Sequence, residues 1–164
     1  MNLFLLRHGL AVERTIPSFK LDSDRPLTPE GRKKVARVAA FLGQLEVSFD
    51  RIVASSHVRA RQTAEIVAEA MSFPEPVEVS KHLTPGSAPK PLIEELQHPR
   101  RPLNAILLVG HEPDLSRLIS ILVTGKPGLA VELKKGGLCK LEIAALRYGR
   151  CAALQWLLAP KLCP

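Results

Sequence analysis

Three places in the sequence carry side chains suited to phosphate chemistry: Arg7-His8-Gly9, Ser55 through Arg59, and Gly110-His111. A guanidinium presents forked donors that match phosphate oxygens. One imidazole can attack phosphorus and form a covalent intermediate. A second can donate to the equatorial oxygens as charge spreads over them during transfer. Arg7, His8, Arg59 and His111 are thus a coherent set for handling a phosphoryl group. No cluster of carboxylates or cysteines accompanies the histidines, so no metal site is expected.

These residues need elements that bring them together, and the flanking sequence supplies them. Leu3-Phe4-Leu5-Leu6, Ile52-Val53-Ala54 and Ala105-Ile106-Leu107-Leu108-Val109 are short apolar runs. Runs of this kind read as strands buried on both faces of a parallel sheet. In open α/β sheets, ligands bind at the carboxyl ends of such strands. Thr28-Pro29-Glu30 marks a helix start, and Val35, Val38, Ala39 and Leu42 follow on one face, with Gly43 as the expected end. A second helix begins near His57-Val58-Arg59 and buries Ala60, Thr63, Ala64, Val67 and Met71. Arg59 lies in its first turn, where the helix dipole disfavours a cation, which fits a bound anion nearby.

Glu75–Val79 reads as a short edge strand, residues 83–91 as a loop, and 91–97 as a short helix. Pro99–Pro102 is a connector. After Pro113 a helix carries Leu115, Leu118, Ile119 and Leu122 on one face. Residues 138–146 and 150–158 read as two strands joined by a tight turn at Tyr148-Gly149. Residues 10–27, rich in turn formers, read as a loop. Strands alternating with one-sided helices predict a three-layer α/β/α sandwich with a mostly parallel sheet, in a single domain spanning residues 1–164.

The chain has 164 residues, 46% hydrophobic and 24% charged, which suits a globular domain with its own core. A net charge of +7 favours anionic partners. One Trp, one Tyr and scattered Phe residues give no basic-aromatic stripe of the kind that stacks bases, so nucleic acid is not an expected partner. In the expected hairpin Cys151 faces a residue near Ala145 rather than Cys139, so neither a disulfide nor a zinc site is expected, and a reducing compartment fits. No apolar run approaches the roughly 20 residues of a membrane helix and no signal-peptide pattern is present, so the expected location is cytoplasmic, with no membrane partner. Arg32, Lys33, Lys34 and Arg37 form a basic helix face, read first as solvated and secondarily as a docking surface for an acidic partner.

Arg7-His8-Gly9 after an N-terminal strand, Ser55-x-x-x-Arg59-Ala60-x-Gln62-Thr63-Ala64, and Gly110-His111-Glu112 together resemble the histidine phosphatase superfamily, which has the phosphoglycerate mutase-like fold. Asp24-Arg25-Pro26-Leu27-Thr28 and the small size resemble its SixA-type phosphohistidine phosphatase branch. The resemblance implies that His8 is the nucleophile, that Arg7, Arg59 and His111 complete the phosphate pocket, and that Ser55 belongs to the loop presenting Arg59. It implies neither metal nor organic cofactor. Gly9 stands next to the nucleophile in the substrate-binding motif. His57 falls where the family often has an apolar residue and is a candidate for the pocket rim. His82 and His98 match no family histidine.

One departure stands out. Many members of the family carry a general acid after a leucine in the loop following the third strand. Here that stretch is His82-Leu83-Thr84-Pro85, without a carboxylate. Glu13, in the loop after the nucleophile, could approach the leaving group, or could be a solvated loop acid. Removal of a positioned acid typically costs about 10²–10⁴-fold. An imidazole, with pKa near ~6.5, can leave neutral without one. The expectation is therefore a phosphatase acting on a phosphohistidine-containing signalling protein. The alternatives are a phosphatase of a small phosphomonoester or nucleotide, and a non-catalytic phosphate- or phosphoprotein-binding module. The sequence leaves the oligomeric state open.

Overall fold

The computed structural model describes residues 1–15, 18–97 and 102–163. His98 and most of the Pro99–Pro102 connector lie outside them. Strands β1 (Asn2–Arg7), β2 (Arg51–Ser55), β3 (Glu78–Ser80), β4 (Ala105–Gly110), β5 (Leu138–Ile143) and β6 (Ala152–Leu158) form one sheet in the order β3-β2-β4-β1-β5-β6. The β3-β2-β4-β1 part is parallel, and β5 and β6 add to it antiparallel. Helices are α1 (Pro29–Gln44), α2 (Val58–Ala70), α3 (Pro89–Leu96) and α4 (Asp114–Thr124).

The apolar runs divide by the two-residue period of a strand. Phe4, Leu6, Ile52, Ala54, Leu107 and Val109 point to one side, where Val35, Val38 and Leu42 of α1 and Ala60, Ala64 and Val67 of α2 cover them. Leu3, Leu5, Val53, Ile106 and Leu108 point to the other, under Leu92 and Ile93 of α3 and Leu115, Leu118, Ile119 and Leu122 of α4. The result is the expected three-layer sandwich.

Helix α1 begins as its sequence dictates: Thr28 Oγ1 accepts from the Gly31 N–H at 2.9 Å, with proline at the first helical position. Gly31 is required by close approach rather than by a turn, since a Cβ there would stand 2.1 Å from the Leu10 carbonyl oxygen. That proximity docks α1 onto the loop leaving His8, and Thr28 N–H donates to Leu10 O at 2.9 Å.

Some boundaries differ from the sequence reading. Helix α1 runs past Gly43 to Gln44, whose neighbour Leu45 still donates to the Phe41 carbonyl. The edge strand is Glu78–Ser80, and α3 starts at Pro89 because proline suits a first turn. The tight turn at Tyr148-Gly149 is not formed. Strand β5 stops at Ile143 and β6 starts at Ala152. The intervening chain is held elsewhere: the Leu146 carbonyl accepts from Gln97 Nε2, and Cys151 N–H donates to Leu122 O. Cys151 therefore does not sit opposite Ala145. Cys139 is registered with Leu157, and all three cysteines are free. Among the described residues no helix is long and apolar enough to cross a membrane.

Candidate active site

The parallel register explains why distant residues meet. Arg7 of β1 lies beside Gly110 of β4, and Ala54 of β2 beside Val109. His8 and His111, the next residues out of β1 and β4, and Ser55, the last residue of β2, therefore emerge together at one edge. The site is buried: His8 is 8% exposed, His111 and Arg59 3%, and Ser55 fully covered.

His8 is fixed in one tautomer. Its Nδ1 lies 2.7 Å from the Gly9 carbonyl oxygen, which can only accept, so Nδ1 carries the proton. Nε2 then keeps its lone pair and accepts from Arg59 Nε at 3.2 Å. Burial, assisted by the Arg59, Arg7 and Lys135 charges, pushes the His8 pKa down to about 3. A neutral imidazole whose Nε2 lone pair is unprotonated and turned to an arginine is the form a nucleophile needs.

His111 faces Arg59 and Ser55. Arg59 Nη2 can only donate, and it approaches His111 Nδ1 at 3.5 Å, while His111 Nε2 is 2.9 Å from Ser55 Oγ. This pattern assigns the proton to Nε2, donated to Ser55. Burial and then the neighbouring His8 and Arg59 push its pKa down to about 2. The two rings lie 5.0 Å apart, centre to centre.

Arg59 is held by an anion from the chain itself. Asp22, in a short 3₁₀ turn of the 10–27 loop, accepts from Arg59 Nη2 at 2.9 Å through Oδ2 and from Nη1 at 2.6 Å through its carbonyl. The same carboxylate binds Arg14 Nε at 2.8 Å and Arg25 Nη2 at 2.6 Å. Burial raises the Asp22 pKa, but the hydrogen bonds from Arg59 and Arg25 outweigh it and hold the carboxyl well below the usual range. The cation at the start of α2 thus has its anion in Asp22.

The remaining motif residues clamp α2 to the loop that follows His8. Thr63 Oγ1 donates to Arg59 O at 2.7 Å and accepts the Gly9 N–H at 3.1 Å. Gln62 Oε1 accepts from Leu27 N–H at 2.8 Å. A Cβ on Gly9 would stand 2.7 Å from Val35 Cγ2, so glycine permits the packing there.

A polar cavity of about 190 Å³ opens over this edge. Five cations line it: Arg7, Arg14, Arg25, Arg59 and Lys135. Arg7 Nη1 donates to Leu133 O at 2.8 Å, and its Nε is buried without a partner among the described residues. The one carboxyl on the wall is Glu112. Its Oε2 accepts from Ser116 Oγ at 2.6 Å, and its Oε1 is buried without a partner. Burial raises its pKa, only partly opposed by the Ser116 hydrogen bond and the Arg7 charge. Among the described residues no group of three or more His, Cys, Asp and Glu side chains is arranged to hold a metal ion.

Of the residues singled out from sequence, the fold gathers Arg7, His8, Gly9, Ser55, Arg59 and His111. His57 occupies the N-cap position of α2 without a side-chain capping bond, and its ring packs 4.9 Å from that of His111 but does not line the cavity. Glu13 is exposed and does not line the cavity; its neighbour Arg14 does. His82 lies in a 3₁₀ turn after β3. Asp22, Glu112 and Lys135 were not read from sequence. Glu112 stood inside a quoted motif, next to His111, and Asp22 stood two residues before Asp24-Arg25-Pro26-Leu27.

Comparison with known proteins agrees with this arrangement. Residues 3–84 match the family described as "Histidine phosphatase superfamily (branch 1)". An uncharacterized protein of Picosynechococcus sp. is 37% identical over 148 residues, 90% of this chain and 88% of that protein. The phosphohistidine phosphatase SixA of Escherichia coli (strain K12) is 30% identical over 127 residues, covering 77% of this chain and 76% of SixA. The structure of the protein histidine phosphatase SixA complexed with tungstate superposes with a TM-score of 0.84 at 24% identity, over 98% of each chain. By sequence and by fold, the chain belongs to the histidine phosphatase superfamily.

Proposed function

We propose that this protein is a metal-independent phosphohistidine phosphatase acting on a phosphoprotein through a covalent phospho-His8 intermediate. Membership of the superfamily and the similarity to SixA support a phosphatase. The observation that carries the mechanism is the His8 tautomer: Nδ1–H is tied to Gly9 O, so Nε2 carries the lone pair, which Arg59 Nε holds by a 3.2 Å hydrogen bond until a phosphoryl group takes its place.

The lone pair of Nε2 attacks phosphorus. The bond between phosphorus and the substrate nitrogen breaks, and its electron pair goes to the departing imidazole. That imidazole leaves neutral when its other nitrogen already bears a proton. Arg7 and Arg59 stabilise the equatorial oxygens, and His111, whose Nε2–H goes to Ser55, adds a donor there when the incoming phosphoryl dianion draws a proton onto its Nδ1. Phospho-His8 keeps its Nδ1–H, so its ring is cationic and a good leaving group. Water then attacks phosphorus, and the P–N bond electrons return to Nε2.

A cavity of about 190 Å³ is below the roughly 300–1,000 Å³ of pockets that engulf a small ligand. Its size suits a phosphoryl group presented on a side chain from outside. A second reading, a small phosphomonoester as substrate, draws on Glu112: a carboxyl of raised pKa on the cavity wall is a candidate acid for an alkoxide leaving group.

The test is phosphate release from a phosphohistidine protein and from a simple alkyl phosphate, side by side, with chelator present. Strong preference for the phosphohistidine protein is expected, and preference for the alkyl phosphate would favour the second reading. His8→Ala is expected to abolish turnover and acid-labile phosphate labelling of the enzyme. Robust turnover by that variant would sink the mechanism.

A further inference from the structure

Four of the five cations on the cavity wall are already engaged. Arg14, Arg25 and Arg59 bind Asp22, and Arg7 donates to Leu133 O. Lys135 is the exception: among the described residues it has no hydrogen bond and no ion pair. Its neighbour Lys134 shows the contrast, since Lys134 Nζ pairs with Glu132 at 2.6 Å and does not line the cavity.

The backbone that carries Lys135 is built onto the nucleophile strand. Arg7 N–H donates to Gly137 O at 3.0 Å, and Gly136 N–H is 3.1 Å from both Arg7 O and His8 O. Gly137 N–H closes the turn on Lys134 O at 2.6 Å. Gly136 has φ +75°, and a Cβ on Gly137 would stand 2.7 Å from Lys134 O. Glycine at both positions therefore lets the turn press against β1. The turn is anchored and the lysine stem is flexible. A compact ammonium on a four-carbon stem acts as a movable point charge for phosphate.

We infer that Lys135 is a phosphate-binding residue that swings onto the oxygens of the transferring phosphoryl group, adding a cation not committed to the protein itself. The inference rests on the proposed function for the identity of the substrate, but not for the binding of an oxyanion. Its charge already acts on the site, as it helps to depress the His8 pKa.

The test uses Lys135→Met and Lys135→Arg in the full chain. Lys135 is exposed, so both variants are expected to fold, as circular dichroism and Tm will check. Tungstate is titrated directly, and kcat and KM are measured on a phosphohistidine protein. A hydrogen bond to a charged group is worth enough that Lys135→Met should weaken tungstate binding and lower kcat/KM by roughly 10- to 100-fold. Lys135→Arg should recover most of both. Tungstate affinity within about twofold of wild type in Lys135→Met overturns the inference, whether or not the protein hydrolyses phosphohistidine. Weakened tungstate binding in a protein that does not turn over phosphohistidine would keep the Lys135 assignment and overturn the proposed substrate.

Discussion

The two sides of the cavity are built on opposite electrostatic plans. On the α2 side Asp22 gathers Arg14, Arg25 and Arg59, and the one carboxylate locks the guanidinium that faces His8 Nε2. On the β5 side, among the described residues, Arg7 Nε and Glu112 Oε1 are buried without hydrogen-bond partners and Lys135 has no ion pair, whereas the one such atom on the α2 side, His57 Nδ1, still lies 3.8 Å from Asp22 Oδ2. Buried polar groups are nearly always paired, so such a cluster calls for an explanation. The difference separates two tasks. One side fixes the geometry of His8, the proposed nucleophile, and the other holds the groups inferred to bind the phosphoryl oxygens.

The largest effect that would break this contrast is expected from Asp22→Asn. Arg59 loses its anchor, and small misplacements of reacting groups cost on the order of 10²-fold, so kcat should fall by about 10- to 100-fold. Stability should fall by about 1–3 kcal/mol, less than for a fully buried pair because Asp22 is partly exposed. Tungstate affinity should hold or improve, since a competing anion has been removed. Calorimetric titration beside steady-state kinetics distinguishes this from Lys135→Met, where binding itself weakens.

The pH dependence separates the sides next. Glu112 has a raised folded-state pKa, so folding favours its protonated form, and its contribution to stability declines as pH rises above the ordinary carboxyl range. Glu112→Gln should therefore melt above wild type at pH 7.5, and the two should converge below about pH 4, where both are neutral. His8 and His111 act in the opposite sense: their lowered values mean stability is lost as pH falls from about 6.5 towards 3, in both proteins alike. Melting curves across pH, compared as wild type against variant, isolate the Glu112 part. A Glu112→Gln difference that does not change with pH would remove the carboxyl from this account.

The smallest effect is expected away from both sides. Lys34 pairs with Glu30 on the exposed face of α1 at 2.6 Å. Lys34→Ala should leave both Tm and kcat/KM close to wild type. A marked rise in KM for the phosphoprotein would instead make the basic α1 face part of the docking surface.

Much of the site was legible because its chemistry sits at strand ends. Apolar runs ending in Arg7-His8 and Gly110-His111 imply a parallel sheet edge, and the parallel register delivers both histidines to it. What was not legible depended on sheet order. Lys135 precedes β5, and nothing in its local sequence says that β5 runs antiparallel beside β1. Once that pairing is known, the turn entering β5 must lie at the carboxyl end of β1. Asp22 was hidden for a different reason: as a turn former in a loop without periodicity, it gives no sign of which cation its carboxylate will meet. Glu112 was visible by position but not by environment, because its raised pKa comes from burial under neighbours distant in sequence. The tight hairpin failed because local turn residues were outweighed by tertiary bonds to Gln97 and Leu122.

The central place of β1 also bears on how the molecule comes to be folded. Its two neighbours in the sheet, β4 and β5, lie roughly a hundred residues or more further along the chain. Pairing across such separations requires long loops to close first and slows folding relative to local contacts. His8 belongs to the earliest stretch of the chain, but its backbone bonds go to Gly110 and Gly136, so its position is complete only once β4 and the turn into β5 are in place. Until β4 and β5 arrive, Leu3-Phe4-Leu5-Leu6 is an apolar strand with both edges open, the kind of segment that pairs with the wrong chain. The arrangement that buries His8 so completely therefore leaves the nascent protein exposed to mispairing at the very strand that carries it.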